Sequence, residues 1–479
     1  MMFMQTLGTT GRPASVGPGE PARRAVDAPF CSANDLGLKG RTLIVGLGKT
    51  GLSCARFLAR RGLSIAVTDS RDNPPGLAAL TQELPGVALF LGGFDDTAFV
   101  AADGIIVSPG VALQEPAIAA AIARGKPVLG DIELFARCVA APVIAVTGSN
   151  GKSTVTALVG EMARLAGRDA RIGGNLGTPA LELLEEGVPD MYVLELSSFQ
   201  LETTSSLNAK AAVVLNVSPD HLDRYRNVGE YLAAKRRIYR GDGVMVLNRD
   251  DASVATLRNG RRRCMTFGLN EPADDEDYGV RIIAGAPWLV KGAEALVAAS
   301  TLRIRGRHNL SNALAALALG ETAGLEREPM LEALRKFPGL PHRTQWVAEI
   351  DGVQYYNDSK GTNIGATIAA INGLPHPIVL IAGGLGKDQD FSLLRAVVKQ
   401  HVRAVVLIGR DAYLIEEALD DVVPVSHALT MDDAIAMARN FARPGDTVLL
   451  SPACASFDMF NGFEHRGDTF VAAVKGLVS

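Results

Sequence analysis

From Arg41 onward the chain repeats one pattern. A short apolar run ends in glycine or a polar residue, and a stretch with apolar positions three and four apart follows. The runs RTLIVG (41–46), SIAVTD (64–69), PVIAVTG (142–148), MYVLELS (191–197), AAVVLNVS (211–218), VMVLN (244–248), PIVLIAGG (377–384), AVVLIG (404–409) and TVLLSPA (447–453) read as strands. Continuous apolar runs that alternate with helical periodicity predict an α/β fold with mostly parallel sheets. Functional groups are then expected beyond the carboxyl ends of the strands, where loops and helix N-termini converge.

The pattern falls into blocks: 39–130, 131–340 and 341–479, with PGLPHR (338–343) as the linker before the last. Three domains suit a chain of 479 residues, at roughly 150 residues each. The first 38 residues, rich in Gly, Pro and Arg, lack apolar periodicity and read as a flexible extension without a secretory core.

Charge and cysteines narrow the classes. A formal net charge of -4 gives no basic field for nucleic acid. No apolar run reaches the ~18 residues of a membrane span. Cys31, Cys54, Cys138, Cys264 and Cys454 have no metal or disulfide spacing, so buried thiols in a reducing compartment are expected.

Two glycine loops carry the chemistry. IAVTGSNGKST (144–154) joins a strand to a helix whose apolar face is Val155, Leu158, Val159, Met162 and Leu165. Strand, glycine turn, Lys-Ser/Thr and helix make a phosphate cradle. Gly148, Ser149, Asn150 and Gly151 form the turn, which lets backbone N–H groups approach phosphate oxygens. Lys152 supplies a mobile cation, Ser153 a ligand for Mg²⁺, and Thr154 continues the helix. The usual cradle has another glycine where this chain has Val146.

The other loop, LIVGLGKTG (43–51), places Gly46, Gly48 and Gly51 as GxGxxG, and Asp69 closes the next strand. This is a dinucleotide fingerprint. The loop itself leaves three readings open: a nicotinamide cofactor, a turn that packs helix on strand without ligand, or another nucleotide held through its diphosphate.

TGSNGKST resembles the phosphate loop of the Mur ligase family, the missing first glycine included. GGNLG, LELSSFQLE, NVSPDHLDRY, AAKRRIY, GRHNLSNALAA, YYNDSKGTN, GGLGK and LLSPACASFDMF follow in the family's order and extend the resemblance over nearly all of the chain from about residue 40. It implies three domains: a Rossmann-like unit that holds UDP, a P-loop ATPase-like central unit, and a Rossmann-like unit for the incoming amino acid. It further implies ATP-dependent ligation of D-glutamate to UDP-N-acetylmuramoyl-L-alanine through an acyl phosphate, by a cytoplasmic monomer of peptidoglycan synthesis. The alternatives are the same reaction with L-glutamate, or a nicotinamide-dependent oxidoreductase.

The resemblance also implies roles. Lys152, Glu195, His221 and Lys235 would be catalytic. Ser153, Glu195, His221 and a carbamylated Lys235 would serve two Mg²⁺ ions. Gly148, Ser149, Asn150, Gly151, Lys152, Ser153 and Thr154 would bind ATP, with Asn309 and Asn312 at adenine, Arg343 at the phosphates and Asp358 at the ribose. Gly48, Lys49, Thr50, Asp69, Ser70, Ser108, Pro109, Gly110, Asn175, Ser197 and Gln200 would hold the sugar nucleotide. Lys360, Thr362, Lys387, Ser456, Phe457 and Phe463 would surround glutamate. Gly361 and Leu385 depart from residues common among relatives on the glutamate side.

Overall fold

A computed structural model describes residues 31–477. It contains three sheets in chain order. The first holds β1 (Arg41–Val45), β2 (Ser64–Asp69), β3 (Ala88–Leu91), β4 (Gly104–Val107) and β5 (Val128–Leu129), ordered β3-β2-β1-β4-β5 and parallel throughout. The chain reverses direction across the sheet between β1 and β4, which opens a crevice at their carboxyl ends.

The second holds β6 (Val143–Thr147), β7 (Ala170–Gly174), β8 (Met191–Glu195), β9 (Ala211–Val214), β10 (Val244–Asn248), β11 (Cys264–Phe267), β12 (Tyr278–Ile283), β13 (Ala286–Lys291) and β14 (Glu294–Ala298). Its order is β14-β13-β12-β11-β10-β9-β6-β8-β7. The central strands are parallel, and β12 to β14 form an antiparallel flank. The third holds β15 (Gln345–Ile350), β16 (Val353–Asn357), β17 (Ile378–Gly383), β18 (Val402–Ile408), β19 (Val425–His427) and β20 (Thr447–Leu450), ordered β15-β16-β20-β17-β18-β19.

Every run read as a strand forms one. The reason is burial on both faces. In β6 and β8, Ala145, Tyr192 and Leu194 pack into one core, while Ile144, Val146 and Val193 pack into another. Strands covered on both sides read as continuous apolar runs. Among the missed strands, β3 is exposed or half-buried and β13 and β14 are half-covered, whereas β4 is fully buried but only four residues long.

The first core crosses from the first sheet to the second. Ile44, Phe57, Phe135, Tyr192 and Leu194 belong to one cluster, and the rings of Phe135 and Tyr192 meet edge to face at 5.1 Å. The helix Asp131–Cys138 forms this seam. Buried Glu133 accepts from the backbone N–H groups of Ser205 (2.6 Å) and Ser206 (3.0 Å) and pairs with Arg137. Burial works against its charge, yet these partners hold it down to about 2.

Two expectations change. The extension lies outside the described residues as far as residue 30, but residues 31–38 pack on the fold, with Leu36 and Leu38 buried. Cys31 and Cys138 form a disulfide, while Cys54 and Cys454 are buried thiols. The partners stand 107 residues apart, so only the fold brings them together. Among the described residues no helix is long and apolar enough to cross a membrane.

Candidate active site

The first glycine loop divides its labour among three residues. Gly46 has φ +89°, which makes the turn. A Cβ on Gly51 would lie 1.9 Å from the Gly46 carbonyl oxygen, so only glycine lets the following helix close on the strand. A Cβ on Gly48 would meet nothing within 4 Å. That open space is where a diphosphate can approach the N-terminus of the helix Lys49–Arg60.

A cavity of about 480 Å³ opens here. Gly48, Lys49, Thr50, Asp69, Ser70, Ser108, Pro109, Gly110, Asn175 and Gln200 line it, as the sequence reading placed them. Ser197 does not line it. Its hydroxyl instead caps the helix Ser198–Glu202, and the side chain of Gln200 returns to the Ser197 backbone N–H. The serine therefore orients Gln200, which also donates to buried Asp131 at 2.9 Å.

Asp69 accepts from the Leu47 N–H (2.7 Å) and from both arms of Arg71 (2.8 and 2.7 Å). The Arg71 hydrogen bonds hold this carboxyl down to about 2. Arg71, Phe94 and Val111 line the cavity and were not anticipated. The GxGxxG pattern specifies an acid at the strand end and is silent about the arginine beside it.

The second loop is walled by charge. Gly151 has φ +83°, and a Cβ there would fall 2.4 Å from the Asn312 amide oxygen. The helix Lys152–Leu165 follows, with Val155, Leu158, Val159 and Met162 buried as expected and Leu165 partly so. Lys152 Nζ folds back onto the Gly148 and Ser149 carbonyls at 2.9 and 3.0 Å. Burial lowers its pKa, while Glu195 and Asp220 counteract.

Glu195, at the end of β8, is the hub. Ser153 Oγ donates to one oxygen at 2.5 Å and Asn175 Nδ2 to the other at 2.6 Å. Arg343 Nη2 donates to Ser153 Oγ at 2.6 Å across the linker. Four residues from distant segments thus make one chain of hydrogen bonds. Among the described residues no group of three or more His, Cys, Asp or Glu could hold a metal. The oxygens of Ser153 and Glu195 fit Mg²⁺ in the manner usual for nucleotide sites, with one or two protein oxygens completed by substrate phosphates and water.

Lys235 lies in the last turn of the helix Val228–Arg236 and is buried. Its Nζ donates to the Gly148 carbonyl at 2.9 Å and lies 4.2 Å from the Tyr231 ring centroid. Burial, reinforced by Lys152, pushes its pKa well down. His221 adopts φ +56° beside Phe199, whose ring centroid is 4.8 Å away. Burial lowers its pKa; Asp220 opposes, and Lys387 and Lys235 add to the lowering.

The adjoining cavity, of about 300 Å³, is lined by Asn150, Gly151, Thr154, Asn309, Asn312, Arg343 and Asp358, which the sequence reading assigned to ATP, and by Lys360, which it assigned to glutamate. His308, Asn216 and Ser218 also line it and were missed. Asp358 accepts from Ser451 Oγ (2.7 Å) and the Thr344 N–H (3.0 Å), yet burial pushes its carboxyl up to about 6.

The third sheet closes this space. Asn363 Nδ2 donates to Asp220 at 3.0 Å and meets the Asn150 side chain at 3.3 Å. Lys360 is lowered to about 8 by burial and by the charges of Arg343 and Lys152, and its Nζ lies 3.9 Å from the Phe463 centroid. Thr362 is half-buried beside it, and Lys387 follows β17 with φ +52°. Ser456 is buried, whereas Phe457, expected over the glutamate, is 73% exposed. Fully buried Arg466, missed by sequence, ties this region together: it donates to the carbonyls of Ser359 (2.7 Å) and Cys454 (3.1 Å).

Comparison with known proteins agrees with this arrangement. Residues 40–130 match the Mur ligase MurD-like N-terminal domain, 146–320 the Mur ligase middle domain, and 342–454 the Mur ligase glutamate ligase domain. The UDP-N-acetylmuramoylalanine–D-glutamate ligase of Nitrosococcus oceani is 60% identical over 91% of this chain and 97% of its own length. That of Marinobacter nauticus is 54% identical over 91% and 98%. Among solved structures, the UDP-N-acetylmuramate–alanine ligase of Thermotoga maritima shares the fold at TM-score 0.55 and 18% identity, over 92% of this chain and all of that one. With family matches across all three sheets and relatives this similar over nearly their full length, the chain belongs to the Mur ligase family.

Proposed function

We propose that this protein joins D-glutamate to UDP-N-acetylmuramoyl-L-alanine at the expense of ATP, in the cytoplasm, as a step of peptidoglycan synthesis. One observation carries the reading. The chain Asn175–Glu195–Ser153–Arg343 runs from the wall of the sugar-nucleotide cavity to the phosphate loop and on to the third sheet. It links the sites that a ligase must serve at once. The activity of the relatives supplies the substrates.

The chemistry follows from charge. The substrate carboxylate must attack the γ-phosphate, and two anions approach only beside cations. ADP leaves, and the acyl phosphate then takes the glutamate amine at its carbonyl carbon. Phosphate departs, and the amine proton passes to solvent. Lys152 and Arg343 neutralise the phosphates and hold them for in-line approach. Ser153 and Glu195 would hold Mg²⁺, which supplies further positive charge to the phosphoryl oxygens when bound. Asn309 and Asn312 face adenine, Asp358 the ribose, and Lys360, Thr362, Lys387, Ser456 and Phe463 the two carboxylates of glutamate. Phe457 joins them only by moving inward.

Lys235 is proposed to be carbamylated. Burial favours its neutral amine, and a neutral amine is the form that adds to CO₂. The resulting carbamate is an oxygen ligand beside the phosphate loop, on the same wall as His221. A carbamate signal in ¹³C NMR after growth on labelled bicarbonate would check it, with Lys235→Ala as the blank.

The primary test is phosphate release with Mg²⁺–ATP and UDP-N-acetylmuramoyl-L-alanine, with D-glutamate or L-glutamate added in parallel. Release is expected to require D-glutamate. Release with the L-isomer alone would overturn the stereochemical reading, and release with neither would overturn the ligase.

A further inference from the structure

A second charged cavity shares no lining residue with the catalytic ones. It measures about 380 Å³ and is lined by Arg236, Arg237, Arg240 and Arg262, with Tyr239, Met245 and Leu257 among its apolar walls. No Asp or Glu lines it. None of the four guanidinium groups makes an ion pair among the described residues. The chain as a whole carries a charge of -4, so this concentration of positive charge is local.

Two of the arginines are framework. Arg237 donates to the Thr204 carbonyl at 2.9 Å, and Arg262 reaches the carbonyls of Tyr239 and Gly243. These bonds fix the guanidinium planes without a direct ion pair, although Glu133 and Glu202 act on Arg237 from a distance. The other two are unspent. The Arg236 side chain has no hydrogen-bond partner among the described residues, and the Arg240 side chain reaches only the Thr204 carbonyl at 3.5 Å. Arg236 and Arg240 are exposed and Arg237 and Arg262 half-buried, so water weakens the repulsion among the four like charges without removing it. A bound anion removes that cost, and planar guanidinium forks match phosphate oxygens in pairs.

We propose that this cavity binds a small phosphate-bearing anion, outside the catalytic centre. The location gives the site a consequence. Arg236 and Arg237 directly follow Lys235, whose amine reaches the phosphate loop from the same short segment. Occupancy on one side of the segment therefore bears on the position of the lysine on the other.

The test uses the full chain and inorganic pyrophosphate in metal-free buffer, followed by calorimetry. The native protein is expected to show two binding events. Lys152→Ala should remove the one at the phosphate loop. The double variant Arg236→Gln/Arg240→Gln should weaken the other at least tenfold, while its unfolding midpoint and its ligase turnover in phosphate-free buffer stay near native. A parallel sedimentation with phosphatidylglycerol vesicles separates a lipid headgroup from a soluble phosphate. Vesicle binding that needs Arg236 and Arg240 would assign the same site to a headgroup. Identical titrations for native and double-variant protein, with no arginine-dependent vesicle binding, would overturn the proposal.

Discussion

The two glycine loops start alike and end differently. Each joins a buried parallel strand to a helix N-terminus through glycines with positive φ, and each carries a lysine at the first helical position. Around the first, Lys49 is exposed and bonds the Gly177 carbonyl, and Asp69 is already neutralised by Arg71 and a backbone N–H. Around the second, Glu195, Lys235 and Arg343 arrive from three other segments, and the pKa values of Lys152, Lys235 and Arg343 are lowered by burial. A glycine loop gives a cradle. Reactivity comes from charges that other strands bring to it, so the first loop is built to hold and the second to react.

The largest expected effect breaks that comparison at the second loop. Lys152→Ala should lower kcat by a factor on the order of 10³, about 4 kcal/mol of transition-state stabilisation. Binding of UDP-N-acetylmuramoyl-L-alanine, followed by calorimetry without ATP, should stay within twofold. An equal loss in both measurements would mean that the loops do not divide holding from reacting.

Next comes the seam beneath the first cavity. Burial pushes the Asp131 carboxyl up to about 6, above its unfolded value of roughly 4. The neutral form therefore favours the folded state. Its contribution is complete below the unfolded value and is lost as pH rises through 6. Between pH 4 and 8 the native protein should lose about 2 kcal/mol that Asp131→Asn does not lose. Urea unfolding of both proteins across that range measures the difference, and parallel curves would refute the assignment.

Legibility followed burial. The parallel strands that were read have both faces covered, while buried β4 escaped as a run of four residues, and the phosphate loop was readable because its glycines and lysine must be adjacent in sequence. β12 to β14 were not, since half-exposed antiparallel strands carry a weaker pattern. From its own residues the hub at Glu195 was legible only as a strand-end acid, and its expected role came from the resemblance. Its partners Asn175, Ser153 and Arg343 come from separate segments, and no local spacing encodes that meeting. Arg71 and Arg466 escaped for the same reason: one is an ordinary surface arginine in sequence, the other a helical one, and only packing shows what each holds. The Cys31–Cys138 disulfide is a further case of proximity made by topology alone.

A smaller effect sharpens the first loop. Arg71 fixes Asp69 and lines the cavity, but touches no residue of the second loop. Arg71→Ala should raise KM for the sugar nucleotide roughly tenfold, about 1.4 kcal/mol, with kcat nearly unchanged, the signature of lost uniform binding. A matching fall in kcat would place the arginine in the reacting half.

The smallest expected effect concerns Phe457, where sequence and structure part most. The resemblance sets it against glutamate, yet its side chain is 73% exposed while its neighbour Ser456 is buried. An exposed ring contributes little until it is desolvated, and on the proposed reading charge carries the recognition of glutamate. Lys360 and Lys387 can meet the carboxylates without it. Phe457→Ala should therefore change KM for D-glutamate less than threefold, below about 0.7 kcal/mol, whereas Lys360→Met should raise it at least tenfold. If the two variants lose affinity equally, the ring folds inward over the amino acid on binding. The acceptor side would then be assembled by the substrate, unlike the phosphate loop, whose charges already stand in place.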